Sequence, residues 1–135
     1  MTHRPVAIST LGSCAIPSPL PLNNTTGDAL GNFVPVQGGI RFDVEIDGLA
    51  PADATVFEKA GPREHLFFDP TKVHAAIVTC GGLCPGLNNV IRSAYRQLCN
   101  YGVPGIWGIR YGYRGLTVAS GLDPVRLNDE LVDDI

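Results

Sequence analysis

No stretch of this 135-residue chain approaches the ~18 consecutive apolar residues that a membrane-spanning helix requires. Charge is sparse at 17% of residues, and the formal balance of −3 leaves no basic excess to attract nucleic acid or an anionic membrane. The four cysteines, Cys14, Cys80, Cys84 and Cys99, lack the paired spacing of a metal site. Cys80 and Cys84 read instead as small packing residues of a loop, reduced as thiols in a cytosol are by default. Three histidines, His3, His65 and His74, have no nucleophile or metal partner at a readable spacing. No internal repeat is present. The length suffices for one small domain, not for a doubly wound sheet covered on both faces.

What is present is concentrated in one place. The apolar run His74-Ala75-Ala76-Ile77-Val78 leads into Thr79-Cys80-Gly81-Gly82-Leu83-Cys84-Pro85-Gly86-Leu87-Asn88, and an amphipathic helix pattern follows. A strand, a glycine-rich turn and a helix N-terminus in that order form an arrangement that binds phosphate. Glycines let backbone N–H groups approach an anion closely, and the unpaired amides of the first helical turn point at it. Two familiar versions of the motif are excluded. A Walker loop needs Lys-Ser or Lys-Thr after its second glycine, and here Leu87-Asn88 follow Gly86. A dinucleotide fingerprint needs glycine where Leu83 stands, and an acidic residue about 20 positions on, where the next strand runs into Arg110.

The helix is expected to bury Leu87, Val90, Ile91, Ala94, Tyr95 and Leu98, which recur at three-and-four spacing. Pro85 suits its entry and Gly102 its exit. Gly105-Ile106-Trp107-Gly108-Ile109 then reads as a second strand, completing a βαβ unit with a right-handed crossover. Ligands of such sheets lie at the carboxyl ends of the strands, where Gly81 to Gly86 and Arg110 to Gly115 both fall. The expected fold class is α/β, the start of a Rossmann-like parallel sheet.

Residues 1–72 have a different texture and are read as an N-terminal extension. Pro17, Pro19, Pro21, Asn23, Asn24, Gly27 and Gly31 mark an irregular segment to about Val36. Ile40 to Ile46 alternates strictly and predicts a half-buried strand, with a second at Thr55 to Glu58. Leu11-Gly12-Ser13-Cys14 has the order of a lipoprotein cleavage site. The stretch Pro5 to Thr10 before it is too short and too broken for an apolar leader, so an ordinary cytosolic start is read.

The stretch Ile77 to Arg92, with Gly108-Ile109-Arg110-Tyr111-Gly112-Tyr113-Arg114-Gly115-Leu116, resembles the start of the 6-phosphofructokinase catalytic domain. The Cys-Gly-Gly-Leu-Cys-Pro-Gly form is similar to the branch containing plant-type, trypanosomatid and some bacterial long-chain enzymes. The likeness extends upstream to Ala60, so residues 73–135 are expected to be the amino-terminal part of that domain. The resemblance implies transfer of a phosphoryl group from ATP, or in some members pyrophosphate, to the 1-hydroxyl of fructose 6-phosphate, with Mg2+. It implies that Gly82 contacts the donor phosphates, that Gly81 and Gly86 shape the turn, and that Tyr113 lies beside the nucleotide. It also matches Arg92 and Arg96 to two helix arginines that bind a phosphorylated effector at a subunit interface. Their four-residue spacing puts both guanidinium groups on one helix face, where they can share an anion. A cytoplasmic homo-oligomer is the implied setting, with no nucleic-acid or membrane partner.

Departures from the family pattern are equally specific. The catalytic carboxylate of its Thr-Ile-Asp motif and the magnesium aspartate of its Gly-Gly-Asp motif have no counterpart in these residues. No catalytic residue and no metal ligand are therefore assigned. The chain is expected to be an amino-terminal piece, inactive and marginally stable alone. Two alternatives stand beside this reading: a short non-catalytic nucleotide-binding or regulatory module, and an unrelated α/β domain such as a redox or nicotinamide binder. Leu83 and Arg110 argue against nicotinamide.

Overall fold

The computed structural model describes residues 11–37, 39–41, 56–82 and 84–134. The chain divides into two compact units, Met1–Phe67 and Phe68–Ile135.

Among the described residues the first unit contains four short strands: β1 (Ile16–Pro17), β2 (Gly39–Arg41), β3 (Val56–Glu58) and β4 (His65–Leu66). β1 pairs antiparallel with β4, and β2 antiparallel with β3 in the register Ile40↔Phe57. Strands are thus present near Ile40 and Val56 and pair with each other, but all their described residues are exposed, Ile40 at 56%, so the half-buried expectation is corrected there. Residues 42–46 of the first, and Thr55, lie outside the described residues. Between β1 and β2 the chain is irregular, as its prolines and asparagines require. It is held by side-chain bonds that close local turns: Asn23 Oδ1 accepts from the Thr25 N–H at 2.9 Å, and Asp28 Oδ1 from the Leu30 N–H at 3.0 Å. Arg63 does the long-range work. Its guanidinium donates to the carbonyls of Val34 at 3.1 Å, Pro35 at 3.0 Å and Lys59, and pairs with Glu58 at 2.8 Å. Five fixed N–H donors on one planar group suit it to collecting loop carbonyls that no ladder satisfies.

The second unit begins with a single 3-10 turn, Pro70–Lys72, capped by Asp69. The Asp69 carboxyl is held down at about 2, first by the Thr71 hydroxyl, then by Lys72 and the Thr71 N–H. Because the folded value lies below the unfolded one, Asp69 stabilises the turn above about pH 4 and loses that effect as pH falls towards 2. Asp69→Asn is therefore expected to lower the melting temperature at neutral pH and to match the wild type at pH ~2. A melting series across that window checks this, and a deficit that persists undiminished at the acid end would contradict it.

β5 (His74–Val78), α1 (Leu87–Asn100) and β6 (Gly105–Ile109) follow, with β5 and β6 parallel in the register His74↔Gly105 to Val78↔Ile109. The βαβ expectation holds for these elements. The helix ends as its sequence predicts. Gly102 is left-handed (φ +78°), its N–H donates to the Cys99 carbonyl at 2.8 Å, and the Val103 N–H to that of Leu98 at 3.1 Å. That pair of bonds satisfies two of the orphan carbonyls of the last turn, and only glycine adopts the central conformation without cost.

The sheet is not purely parallel. A third strand, β7 (Val125–Arg126), pairs antiparallel with β6, Trp107 facing Arg126, in the order β5-β6-β7. The expectation of a parallel sheet is corrected to a mixed one. Two residues behind Pro124 carry too little alternation to announce a strand, and the pairing arises because the chain turns back beside β6. β7 leads into α2 (Asp129–Asp133), whose cap Asn128 accepts from the Leu131 N–H at 2.8 Å. A five-residue helix does not persist alone in water; α2 is held by Val132, the most buried side chain described, at 0% exposure. The core joins Val132 to Tyr95 of α1 and Ile106 of β6, with Ile77, Leu98, Val103 and Leu127 packed around them. Of the six residues expected to be buried on α1 only Tyr95 is fully so; Leu87, Ile91, Ala94 and Leu98 are half-buried, and Val90 is 64% exposed. Val90 borders an open cleft that Ile77 and Val78 of β5 also line.

Candidate functional site

β5 ends at Val78, and the turn from Thr79 to Gly86 carries the chain to α1. Leu83 lies outside the described residues. Gly81 (φ +127°) and Gly86 (φ +86°) hold backbone conformations that side chains rarely adopt, which is why the turn is glycine-rich. A Cβ added at Gly81, Gly82 or Gly86 would meet nothing within 4 Å, so the space beside each of these glycines is open. Gly86 is the N-cap of α1 and no side chain caps the helix. The first-turn amides thus keep the partial positive charge of a helix N-terminus. A cleft of about 360 Å³ lies against this turn, walled by Val78 to Gly82, Cys84 and the Leu87, Val90, Ile91 and Ala94 side of α1.

The second loop reaches the same end of the sheet. After β6, Tyr111 (φ +58°) and Gly112 (φ +58°) reverse the chain into a 3-10 turn, Gly112–Leu116, that carries Tyr113, which is 68% exposed. A Cβ at Gly112 would lie 2.8 Å from Cys80 Sγ and 3.1 Å from the Thr79 carbonyl oxygen. One at Gly115 would collide with the Arg110 carbonyl. Neither glycine has room for a side chain, and the close approach at Gly112 sets the Tyr113 turn beside the glycine turn. Arg110 is anchored through Nε to the Asp123 carbonyl at 3.2 Å. The expected juxtaposition at the carboxyl ends of β5 and β6 is therefore seen: Gly81, Gly82 and Gly86 on one loop, Tyr113 on its neighbour.

Arg92 and Arg96 are placed elsewhere. Both face α2. Arg92 Nε donates to the Val132 carbonyl at 2.9 Å, and a terminal nitrogen of Arg92 to that of Asp133 at 2.8 Å. Arg96 pairs with Asp133 Oδ1 at 2.8 Å, and Arg92 Nε lies 3.5 Å from the same oxygen. Cations at a helix C-terminus satisfy its orphan carbonyls and its partial negative charge.

Sequence reasoning placed Tyr95 in the core but did not find its chemistry. Its phenol is pushed up to about 12, first by a hydrogen bond with Cys99, then by burial and by Asp129. It stays protonated at neutral pH and is a poor proton acceptor there. The i,i+4 spacing of Tyr95 and Cys99 on one helix was the available signal. Both border the largest cavity described, about 480 Å³, which also touches Pro104 and Asn128, at the end of the sheet away from the glycine turn.

The donor set of the glycine cleft does not fit Mg2+. This hard cation takes carboxylate, carbonyl and water oxygens, whereas the cleft side chains offer one hydroxyl, two thiols and no carboxylate. Among the described residues no group of three or more His, Cys, Asp or Glu side chains is placed to hold a metal. Nor is any helix among them long and apolar enough to cross a membrane.

The family model described as Phosphofructokinase matches residues 74–135. An ATP-dependent 6-phosphofructokinase of Borreliella burgdorferi is 44% identical over 132 residues, covering 95% of this chain and 29% of that protein. One of Amycolatopsis methanolica is 42% identical over 131 residues, covering 93% and 28%. One of Entamoeba histolytica is 51% identical over 84 residues, covering 62% and 19%. The chain thus spans under a third of the length of these relatives. An alignment of 132 residues necessarily runs through the first unit as well, well upstream of Ala60, where the resemblance read from motifs began. Over residues 74–135 the chain is thus similar to the phosphofructokinase family, and over most of its length to part of the ATP-dependent 6-phosphofructokinases named here.

Proposed function

We propose that residues 73–135 are the donor-phosphate-binding front of a 6-phosphofructokinase, a phosphotransferase acting on the 1-hydroxyl of fructose 6-phosphate. The carrying observation is the open glycine turn at an uncapped helix N-terminus, with the Tyr113 turn beside it. In this reading the backbone of Gly82 contacts the phosphates of ATP, or of pyrophosphate, while Gly81 and Gly86 shape the turn and Tyr113 flanks the nucleotide. Backbone amides and a helix dipole supply positioning and charge stabilisation, which is most of what phosphoryl transfer asks of a protein. Mg2+ and the catalytic carboxylate are assigned to no residue of this chain, in keeping with the donor set of the cleft. Arg92 and Arg96 form a separate anion site for a phosphorylated effector. The setting proposed is a cytoplasmic homo-oligomer.

Gly82→Val tests the reading, because a Cβ added at this position meets no atom beyond its chain neighbours within 4 Å and the backbone has no positive φ to strain. Valine there would occupy the space of the donor phosphate. ATP and pyrophosphate affinity are expected to fall about 10- to 100-fold by calorimetry, with little change in melting temperature. Unchanged donor affinity removes Gly82 from the site. The purified chain is further expected to show no fructose 6-phosphate kinase turnover. Measurable turnover would mean that a catalytic base exists among these residues.

A further inference from the structure

Arg92 and Arg96, one helical turn apart on α1, converge on a single carboxylate. Oδ1 of Asp133 lies 2.8 Å from Arg96 and 3.5 Å from Arg92 Nε, and Arg92 also holds the last carbonyls of α2. Two convergent guanidinium groups are the donor set that a phosphate oxyanion needs. Here the chain's own Asp133 fills it. We infer that Asp133 is an intramolecular competitor for this anion site, so that a phosphate-class ligand binds Arg92 and Arg96 only by displacing Asp133 and loosening α2. The inference rests on the anion reading of Arg92 and Arg96 proposed above.

Accessibility permits the exchange. The side chains of Arg92, Arg96 and Asp133 are 33%, 58% and 49% exposed, so solvent reaches all three. Exposed pairs of this kind contribute little, about 0–1 kcal/mol, and a phosphate dianion with more acceptor oxygens can replace one. α2 feels the loss because it is one turn long and its C-terminal carbonyls are held by Arg92. After displacement the Asn128 cap and the buried Val132 would remain to hold it. The site is thereby coupled to the position of a helix that packs directly on α1 and the core.

The experiment is calorimetric titration of the whole chain with inorganic phosphate, using Asp133→Asn, Asp134→Asn and Arg96→Gln. Asp134→Asn removes the same charge one residue away from a side chain that makes no described contact with either arginine. Asp133→Asn is expected to bind phosphate about three- to fivefold tighter than the wild type, the equivalent of releasing an exposed ion pair, and Asp134→Asn to change it less. Equal gains in both variants would reduce the effect to net charge, and no gain in Asp133→Asn would equally overturn the competition. Arg96→Gln separates the two claims. If it binds phosphate as well as the wild type, the anion reading itself fails, whatever Asp133 does. In the wild type, saturating phosphate is expected to speed hydrogen exchange at the Val132 and Asp134 amides, which bond to Asn128 and Glu130 within α2. Unchanged protection at those two amides would refute the loosening of α2.

Discussion

Ile106→Ala is expected to remove about 2–5 kcal/mol of stability from the second unit, the range for deleting a large aliphatic side chain from a packed interior. Ile106 is 4% exposed and lies in the middle strand of the sheet, between β5 and β7. It is one of the three buried residues of the core cluster described, and the other two are Tyr95 and Val132. With so few layers of side chain around it, the cavity cannot be filled by collapse without shifting α1 or α2. Small domains are held by about 5–15 kcal/mol in total, so this one change approaches the whole margin. Denaturant unfolding followed by circular dichroism measures it. A loss below about 1 kcal/mol, the usual size of a tolerated surface change, would show that the cluster is not the core. Val132→Ala, deleting two methyl groups from a fully buried site, is expected to cost less, about 2 kcal/mol.

Gly112→Val should be nearly as damaging, and for a reason that joins fold to site. Gly112 is left-handed, a conformation that costs L-residues about 1–2 kcal/mol. Its added Cβ would press on Cys80 Sγ at 2.8 Å and on the Thr79 carbonyl at 3.1 Å. Overpacking of that kind costs a further ~1–3 kcal/mol. Relief requires the Cys80 side chain to turn aside and the Tyr113 turn to move away from the Thr79 carbonyl. Two readouts should move together: the melting temperature, and the affinity for ATP if Tyr113 flanks the nucleotide. A variant with wild-type stability would show that the two loops do not touch at this point. A destabilised variant with undiminished ATP affinity would instead remove Tyr113 from the proposed site.

Much of this was legible in the residues because it is local. The helix announced itself through Ile91, Tyr95 and Leu98 on one face, and its end through Gly102, where a left-handed residue must follow the last turn. The glycine turn was legible because only glycine serves at Gly81 and Gly86. Other features were not, since they depend on what the chain meets after folding. Val90 has the spacing of a core residue, yet it borders an open cleft and is exposed. β7 is two residues of ordinary composition that become a strand by lying against β6. Arg63 looks like any surface arginine until Val34, Pro35 and Lys59 bring their carbonyls to it. Arg92 and Arg96 were read correctly as sharing a face, but nothing in their spacing names Asp133, some 40 residues away, as the group they hold.

The sequence by itself determined the order strand, glycine turn, helix, strand, and the identity of the residues that form each, because hydrophobic period and left-handed glycines act within a few residues. Only the tertiary structure decided which loops stand side by side, which apolar residues are buried, and which carboxylate occupies the arginine pair. Those outcomes depend on contacts between segments distant in the chain, and no local pattern encodes the partner.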